Sequence, residues 1–311
     1  MQQINTEAQL IDQMTTPSSA VKDAVSKLDG DILILGIAGK MGPTLGELLV
    51  RAGAPKVIGV SRFSNPTDQD DLNARGITTQ KCDLLDDQAL KALPDAPYIY
   101  LMAGHKFGAT GNEALTWAMN TMLPGKVLQR FPKSRIIYVS SGNVYKYTPV
   151  TSSGATEADP VEPIGEYAMS RLGGERLAEF YSQKQNTPLS IVRLFYATEL
   201  RYGILIDIAQ KIASQTPISL AMGHVNQIWQ GDANAYLAQL FPHCTSPANT
   251  INMTGKDVLS VRTLATALGE NMGITPIFEG TESDNALLGD ATKMFDQLGT
   301  PQIPIDTMIS W

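Results

Sequence analysis

Tyr167 and Arg171 stand four residues apart in Glu166-Tyr-Ala-Met-Ser-Arg171. On a helix, positions i and i+4 share a face, so both side chains can enter one site. A phenol titrates near pH ~10 in water and needs a neighbouring cation before it exchanges protons at neutral pH. Arg supplies that charge permanently but cannot itself release a proton. The pair is either a modified proton-exchanging couple or the remnant of one. About 25 residues upstream, Ser134-Arg-Ile-Ile-Tyr-Val-Ser-Ser141 reads as a buried strand whose last hydroxyl, on Ser141, can hold a reacting oxygen. A serine pair at a strand end can also be a capped loop, and a Tyr beside a surface cation is common.

The elements that would position these residues begin with Asp31-Ile-Leu-Ile-Leu35, a strand-like run followed at once by Gly36-Ile-Ala-Gly39-Lys-Met-Gly42. Leu45, Leu48, Leu49 and Ala52 then recur at helical spacing. A glycine-rich turn between strand and helix lets backbone approach a pyrophosphate and aims a helix N-terminus at it. The spacing is Gly-x-x-Gly-x-x-Gly rather than the commoner Gly-x-Gly-x-x-Gly, and without the flanking elements it would be an ordinary turn. The next strand, Lys56-Val-Ile-Gly-Val60, runs into Ser61-Arg62, where a dinucleotide fold reads the ribose 2′ position. A hydroxyl and a guanidinium suit a 2′-phosphate, so NADP(H) is favoured over NAD(H). A solvated Arg at a strand end is the plainer alternative. Pro97-Tyr-Ile-Tyr-Leu-Met-Ala103-Gly104 reads as a fourth buried strand, with small residues where a cofactor must pass.

Together these segments resemble the extended or atypical short-chain dehydrogenase/reductases, the superfamily that includes the NAD-dependent epimerases and dehydratases. The resemblance covers roughly residues 31 to 300. It implies a pyrophosphate loop at Gly36, Gly39, Met41 and Gly42, and an adenine pair at Asp83 and Leu84 in Lys81-Cys-Asp-Leu84. It places Ala103, Gly104 and Lys106 beside the nicotinamide ribose, makes Asn120 the structural Asn, and sets Phe195 beside the nicotinamide. It makes Ser141 the group that binds the reacting oxygen, Tyr167 the acid/base, and Arg171 the counterpart of the family's Lys. Trp229-Gln-Gly-Asp232-Ala and Asp290-Ala-Thr-Lys293 resemble later family segments.

Three departures bear on the substrate. Arg171 replaces Lys. No Arg stands in Gly223-His-Val-Asn-Gln-Ile228, where sugar-nucleotide epimerases clamp a diphosphate. The proline-glycine turn after the sixth strand gives way to Tyr196-Ala-Thr-Glu-Leu-Arg-Tyr-Gly203. The cofactor expectation survives these changes, whereas a nucleotide-sugar substrate is put in doubt. Residues 1 to 29 form an extension longer than most such enzymes carry.

The chain has 311 residues, 43% of them hydrophobic, enough for a large core. The fold class expected is α/β: a Rossmann-type doubly wound parallel sheet with a smaller C-terminal substrate lobe. The extension (1–29) is read as two short helices. The nucleotide domain takes residues 30–200 and about 228–255, and the lobe about 201–227 and 256–311. Thr148 to Pro163, rich in turn formers, is read as a loop over the site. A net charge of −7 gives no reason to bind nucleic acid or an anionic membrane. Cys82 and Cys244 are too few for a disulfide framework or zinc site, so no metal is expected. No apolar run is long enough to span a membrane, no secretory signal is seen, and a cytoplasmic location follows by default. His105, His224 and His243 read as positioned rather than catalytic, and Phe195 and Trp229 as core first. A homodimer through the helix carrying Tyr167 is implied by the resemblance, with Gly173-Gly174 allowing close approach. Two functions remain in view: an NADP(H)-dependent oxidoreductase or epimerase acting on a small-molecule substrate, or a non-catalytic NADP(H) sensor that binds a protein.

Overall fold

A computed structural model describes residues 3–106 and 110–311. Seven strands form one parallel sheet: β1 (Ile32–Leu35), β2 (Val57–Ser61), β3 (Thr78–Lys81), β4 (Tyr98–Leu101), β5 (Arg135–Ser141), β6 (Leu189–Leu194) and β7 (Asn249–Met253). Their spatial order is β7-β6-β5-β4-β1-β2-β3, and every neighbouring pair is parallel. The chain therefore winds outward from β1 in one direction, returns, and winds outward in the other. β1 and β4 flank the point of reversal, where the carboxyl ends of a doubly wound sheet leave a crevice.

Alternation along the strands explains the three layers. Ile32 and Ile34 point to one face, where Leu45, Leu48 and Leu49 of the helix Gly42–Arg51 cover them. Leu33 and Leu35 point to the other, against Ile99, Leu101, Leu123 and Val127. All four β1 residues are buried, as a strand covered on both faces requires. A separate core of Leu205, Ile208, Ile212, Ile218, Leu220 and Val225, with Val261 and Leu264, gathers residues 205–225 and 261–265.

The extension folds as helices Glu7–Thr15 and Ser19–Val25. Thr6 caps the first in a reciprocal box with Gln9, and Ser18 caps the second. Leu10 and Met14 pack with Trp229, while Val21 and Val25 join the sheet-covering core. Arg51 ties the extension down through Asp12 at 2.7 Å and Thr15 at 2.6 Å.

Candidate active site

The loop after β1 is shaped by glycine. Gly36 has φ +93°, and a Cβ there would stand 2.6 Å from the amide nitrogen of Ala103. A Cβ on Gly42 would stand 2.2 Å from the Ile37 carbonyl oxygen. The exits of β1 and β4 thus approach closely only because side chains are missing. Gly42 also opens its helix, with Pro43 in the first turn, so free N–H groups face the loop.

Two cavities meet along this loop. One of about 310 Å³ is lined by Ser61 and Arg62 at the end of β2, Asp83 and Leu84 after β3, and Ala103 after β4. The other, of about 550 Å³, is lined by Met41, Gly42, Lys106, Ser141, Tyr167, Arg171 and Phe195. Gly36, Gly39 and Gly104 line both. Of the residues expected to bind cofactor or take part in the chemistry, Asn120 alone lines neither and is fully buried. Asp68, from the helix Thr67–Ala74, enters the first cavity beside Ser61 and Arg62. Nothing local in the sequence marks it, because a helix turn separates it from the strand it faces. Cys82 lines the same cavity, and burial, followed by the charges of Asp83 and Asp86, pushes its thiol up.

At the second cavity, the Ser141 hydroxyl accepts from the Asn143 N–H at 3.2 Å and donates to Asn143 Oδ1 at 2.9 Å. This local turn orients Ser141, and Asn143 was not legible as its partner. Tyr167 sits half-buried near the start of the helix Gly165–Gln185. Lys106 Nζ lies 5.7 Å from the centre of its ring and 5.9 Å from that of Tyr196.

Arg171 shares the Tyr167 helix face but is 4% exposed. Its Nη2 donates to the Val139 carbonyl of β5, and its guanidinium lies 5.1 Å over the Tyr138 ring. A Cβ on Gly104 would stand 2.6 Å from Nη1, so glycine at 104 makes room for the guanidinium. Burial pushes the Tyr138 phenol up to about 12 against the opposing charge of Arg171. Much of the Arg171 charge is thus committed beneath the cavity.

Asn120 belongs to a single π-helical turn, Ala118–Met122. Such turns widen a helix by one residue and redirect its side chains. The Asn120 amide bonds the His105 backbone twice, and Nδ2 also donates to Ser170 Oγ at 3.0 Å. A buried charged network lies deeper. Arg193 donates to Glu175 at 2.7 Å and to the Tyr145 hydroxyl at 2.7 Å, while Ser140 donates to Glu175 at 2.6 Å. Burial opposes the Arg193 charge, yet Glu175 outweighs it and holds the guanidinium above its ordinary value.

Several expectations need adjusting. Gly173 and Gly174 meet Thr121 and Asn120 of the same chain, so close approach within the chain accounts for both. Segment 148–163 lines neither cavity; it is braced on residues 284–290 by Thr148–Pro149 pairing with Asn285–Ala286 and by the Ala155–Gly289 bridge. His105 lines the second cavity, its Nδ1 3.0 Å from Thr116 Oγ1, while His224 does not reach it. Trp229 is core, at 1% exposed, whereas Phe195 is both buried and part of the cavity wall. Among the described residues no group of three or more His, Cys, Asp or Glu is arranged to hold a metal, and no helix is long and apolar enough to cross a membrane.

Comparison with known proteins agrees with this geometry. The fold is similar to UDP-glucuronic acid 4-epimerase from Bacillus cereus in complex with NAD, at TM-score 0.74 and 19% identity over 90% of this chain and 96% of that one. It is similar to UDP-glucose 4-epimerase from Thermotoga maritima, at TM-score 0.75 and 16% identity over 90% and 96%. A dTDP-glucose 4,6-dehydratase from Streptomyces venezuelae gives TM-score 0.74 and 18% identity over 90% and 94%. No curated protein matches the chain. Residues 32–198, more than half of the sequence, match the NAD dependent epimerase/dehydratase family, and the chain belongs to that family of enzymes.

Proposed function

We propose that the protein is an oxidoreductase or epimerase that favours NADP(H) and moves hydride at a hydroxyl-bearing carbon of a small substrate. The observation that supports this most is the convergence of Ser141, Tyr167 and Phe195 with the loop glycines on one cavity. A dinucleotide suits the residues present. Gly36 and Gly39 leave bare backbone beside the free N–H groups of a helix, and Ser61 and Arg62 line the adjoining cavity with a hydroxyl and a guanidinium that suit a ribose 2′-phosphate. When bound, the nicotinamide supplies the hydride acceptor or donor. Tyr167 exchanges the proton of the substrate hydroxyl, and Ser141, oriented by Asn143, holds the reacting oxygen. Arg171 fixes the floor under the ring by gripping β5.

The absence of a clamping Arg in Gly223–Ile228 favours a compact hydroxy or keto compound over a nucleotide sugar. The exposed apolar side chains Leu115, Trp117, Met122, Met169 and Phe180 belong to the stretch 113–122 and the Tyr167 helix. They suit a homodimer through that face, which sedimentation of the wild type and of Phe180→Asp would test. The commitment of Arg171 to Val139 favours, as a second reading, a cofactor-binding sensor. Tyr167→Phe separates the two. In an enzyme it abolishes turnover and leaves NADPH affinity nearly unchanged, whereas full turnover in the variant removes the phenol from the chemistry.

A further inference from the structure

A further cavity, of about 220 Å³, shares no lining residue with the two along the glycine loop. Leu259, Ile303, Ile305 and Met308 give it apolar walls, and Gln227 reaches it from the short strand Gln227–Trp229. Side chains alternate across a strand. Asn226 turns to the Gly289 peptide, where a Cβ would stand 2.2 Å from the Phe195 ring of the second cavity. Gln227 turns the other way, to the face of Val225 and Trp229, which share a core with Met308. It is 4% exposed, and among the described residues neither its Oε1 nor its Nε2 has a hydrogen-bond partner.

The walls are fixed by contacts of their own. Asp232 accepts from the N–H groups of Gln302 and Ile303 at 3.0 and 2.9 Å, which holds the segment carrying Ile303 and Ile305. Gly255, also in the lining, brings the loop after β7 against the strand: a Cβ there would stand 2.1 Å from the Gln227 carbonyl oxygen. A buried carboxamide left unpaired costs more stability than an apolar side chain of the same shape. Its acceptor and donor stand side by side, so one flat group carrying C=O and N–H together satisfies both. A water molecule needs several polar partners, and the four wall side chains offer it none.

We infer that this cavity binds a small neutral molecule whose primary or ring amide pairs with Gln227 through one N–H and one C=O. A carboxylate has no donor for Oε1, and an ammonium has no acceptor for Nε2. Lys256 and Asp257, both exposed, bring opposite charges to the lining, so neither sign of charge is favoured. The volume lies below the roughly 300–1,000 Å³ of drug-sized sites and limits the molecule to about one ring. The site stands apart from the residues placed in hydride transfer and does not depend on that reading.

The test uses the full chain with isotope-labelled methionine methyl groups, and Met308→Leu assigns the NMR signal of Met308 in the cavity wall. δ-Valerolactam is titrated against N-methyl-δ-valerolactam, which keeps the carbonyl and loses the N–H. The lactam should move the Met308 signal and bind roughly tenfold tighter than its N-methyl form, the effect of one buried hydrogen bond made or lost. Gln227→Leu, close in size and without polar atoms, should abolish that preference and, with no probe added, melt above the wild type. Benzamide against N,N-dimethylbenzamide repeats the comparison for an open amide; a larger preference there assigns a primary amide, and a smaller one a ring amide. Equal affinity for the lactam and its N-methyl form overturns the inference, as does a lactam preference that survives in Gln227→Leu. So does a Met308 signal unmoved at millimolar lactam, which leaves the cavity to water. The N-methyl comparison is made on the wild type and decides the matter even where Gln227→Leu fails to fold.

Discussion

Asn120 clasps the peptide of His105 from both sides: Oδ1 accepts from its N–H at 2.8 Å, and Nδ2 donates to its carbonyl at 2.9 Å. The amide thus acts as a short piece of sheet edge, holding the exit of β4 against the helical layer. Asn120→Ala removes both bonds and strips a partner from the Ser170 hydroxyl in a fully buried place. The expected loss is about 2–4 kcal/mol in urea denaturation, from several polar groups left unpaired. Cofactor binding should weaken with it, because Gly104 and Lys106 are carried on the same strand exit. Wild-type stability in the variant would show that the clasp holds nothing.

Arg62 and Asp68, of opposite charge, both line the first cavity. If Arg62 and Ser61 receive a 2′-phosphate, NADPH should bind at least tenfold tighter than NADH, about 1.4 kcal/mol. Arg62→Asp should reverse the order, and Asp68→Asn should widen the preference for NADPH by removing a like charge. Fluorescence titration with both nucleotides reads all three, and equal affinities in the wild type would refute the assignment.

Gly174 offers a sharper steric test. A Cβ there would stand 2.0 Å from the Asn120 carbonyl oxygen, a backbone atom that cannot swing aside. Gly174→Ala should therefore cost about 1–3 kcal/mol, or prevent folding altogether. Gly125→Ala is the control. Its new methyl would make ordinary contacts at 3.4 Å with Leu177 and Tyr181, and the gain in helix propensity is up to about 1 kcal/mol. Thermal melts of the two variants should move in opposite directions.

Asp232 predicts a pH dependence. Burial raises its carboxyl above the ordinary 3.8, while the N–H groups of Ile303 and Gln302, at 2.9 and 3.0 Å, pull it back only in part. A carboxyl raised on folding favours the folded state while it is protonated. Its contribution is complete below about pH 3.8 and fades as pH climbs through the raised value. Asp232→Asn keeps an oxygen for both N–H groups and cannot ionise. It should be more stable than the wild type at neutral pH, with the gap closing in acid. A gap that stays constant across that range would assign the difference to packing instead.

Much of this architecture was legible because its causes are local. The β1 run, three spaced glycines and the following apolar stripe dictate strand, turn and helix, and the glycines are needed where Gly36 and Gly42 approach other backbone. Ser141 and Tyr167 were legible as neighbours because a strand exit and a helix start face one crevice, and both line one cavity. What escaped detection depends on distant partners. The engagement of Arg171 depends on a carbonyl in β5, and the arrival of Asp68 depends on the angle of its helix. The pairing of Gly173-Gly174 with a π-turn depends on an irregularity that no spacing rule reveals. Residues 148–163 have loop composition, yet their destination is set by Gly154 and Gly289, where backbones nearly touch.

The extension carries a consequence for assembly. Glu7 reaches Arg201 across 194 residues of chain, and Met14 reaches Gln230 across 216. Closing loops of that length costs somewhat more entropy than closing the 36 and 39 residues by which Arg51 holds Thr15 and Asp12. The two helices of the extension can therefore rest first on the helix Gly42–Arg51 and complete their packing only when the helix Gln230–Gln239 takes its place against the sheet. Slow amide exchange in the extension would then mark the completed molecule.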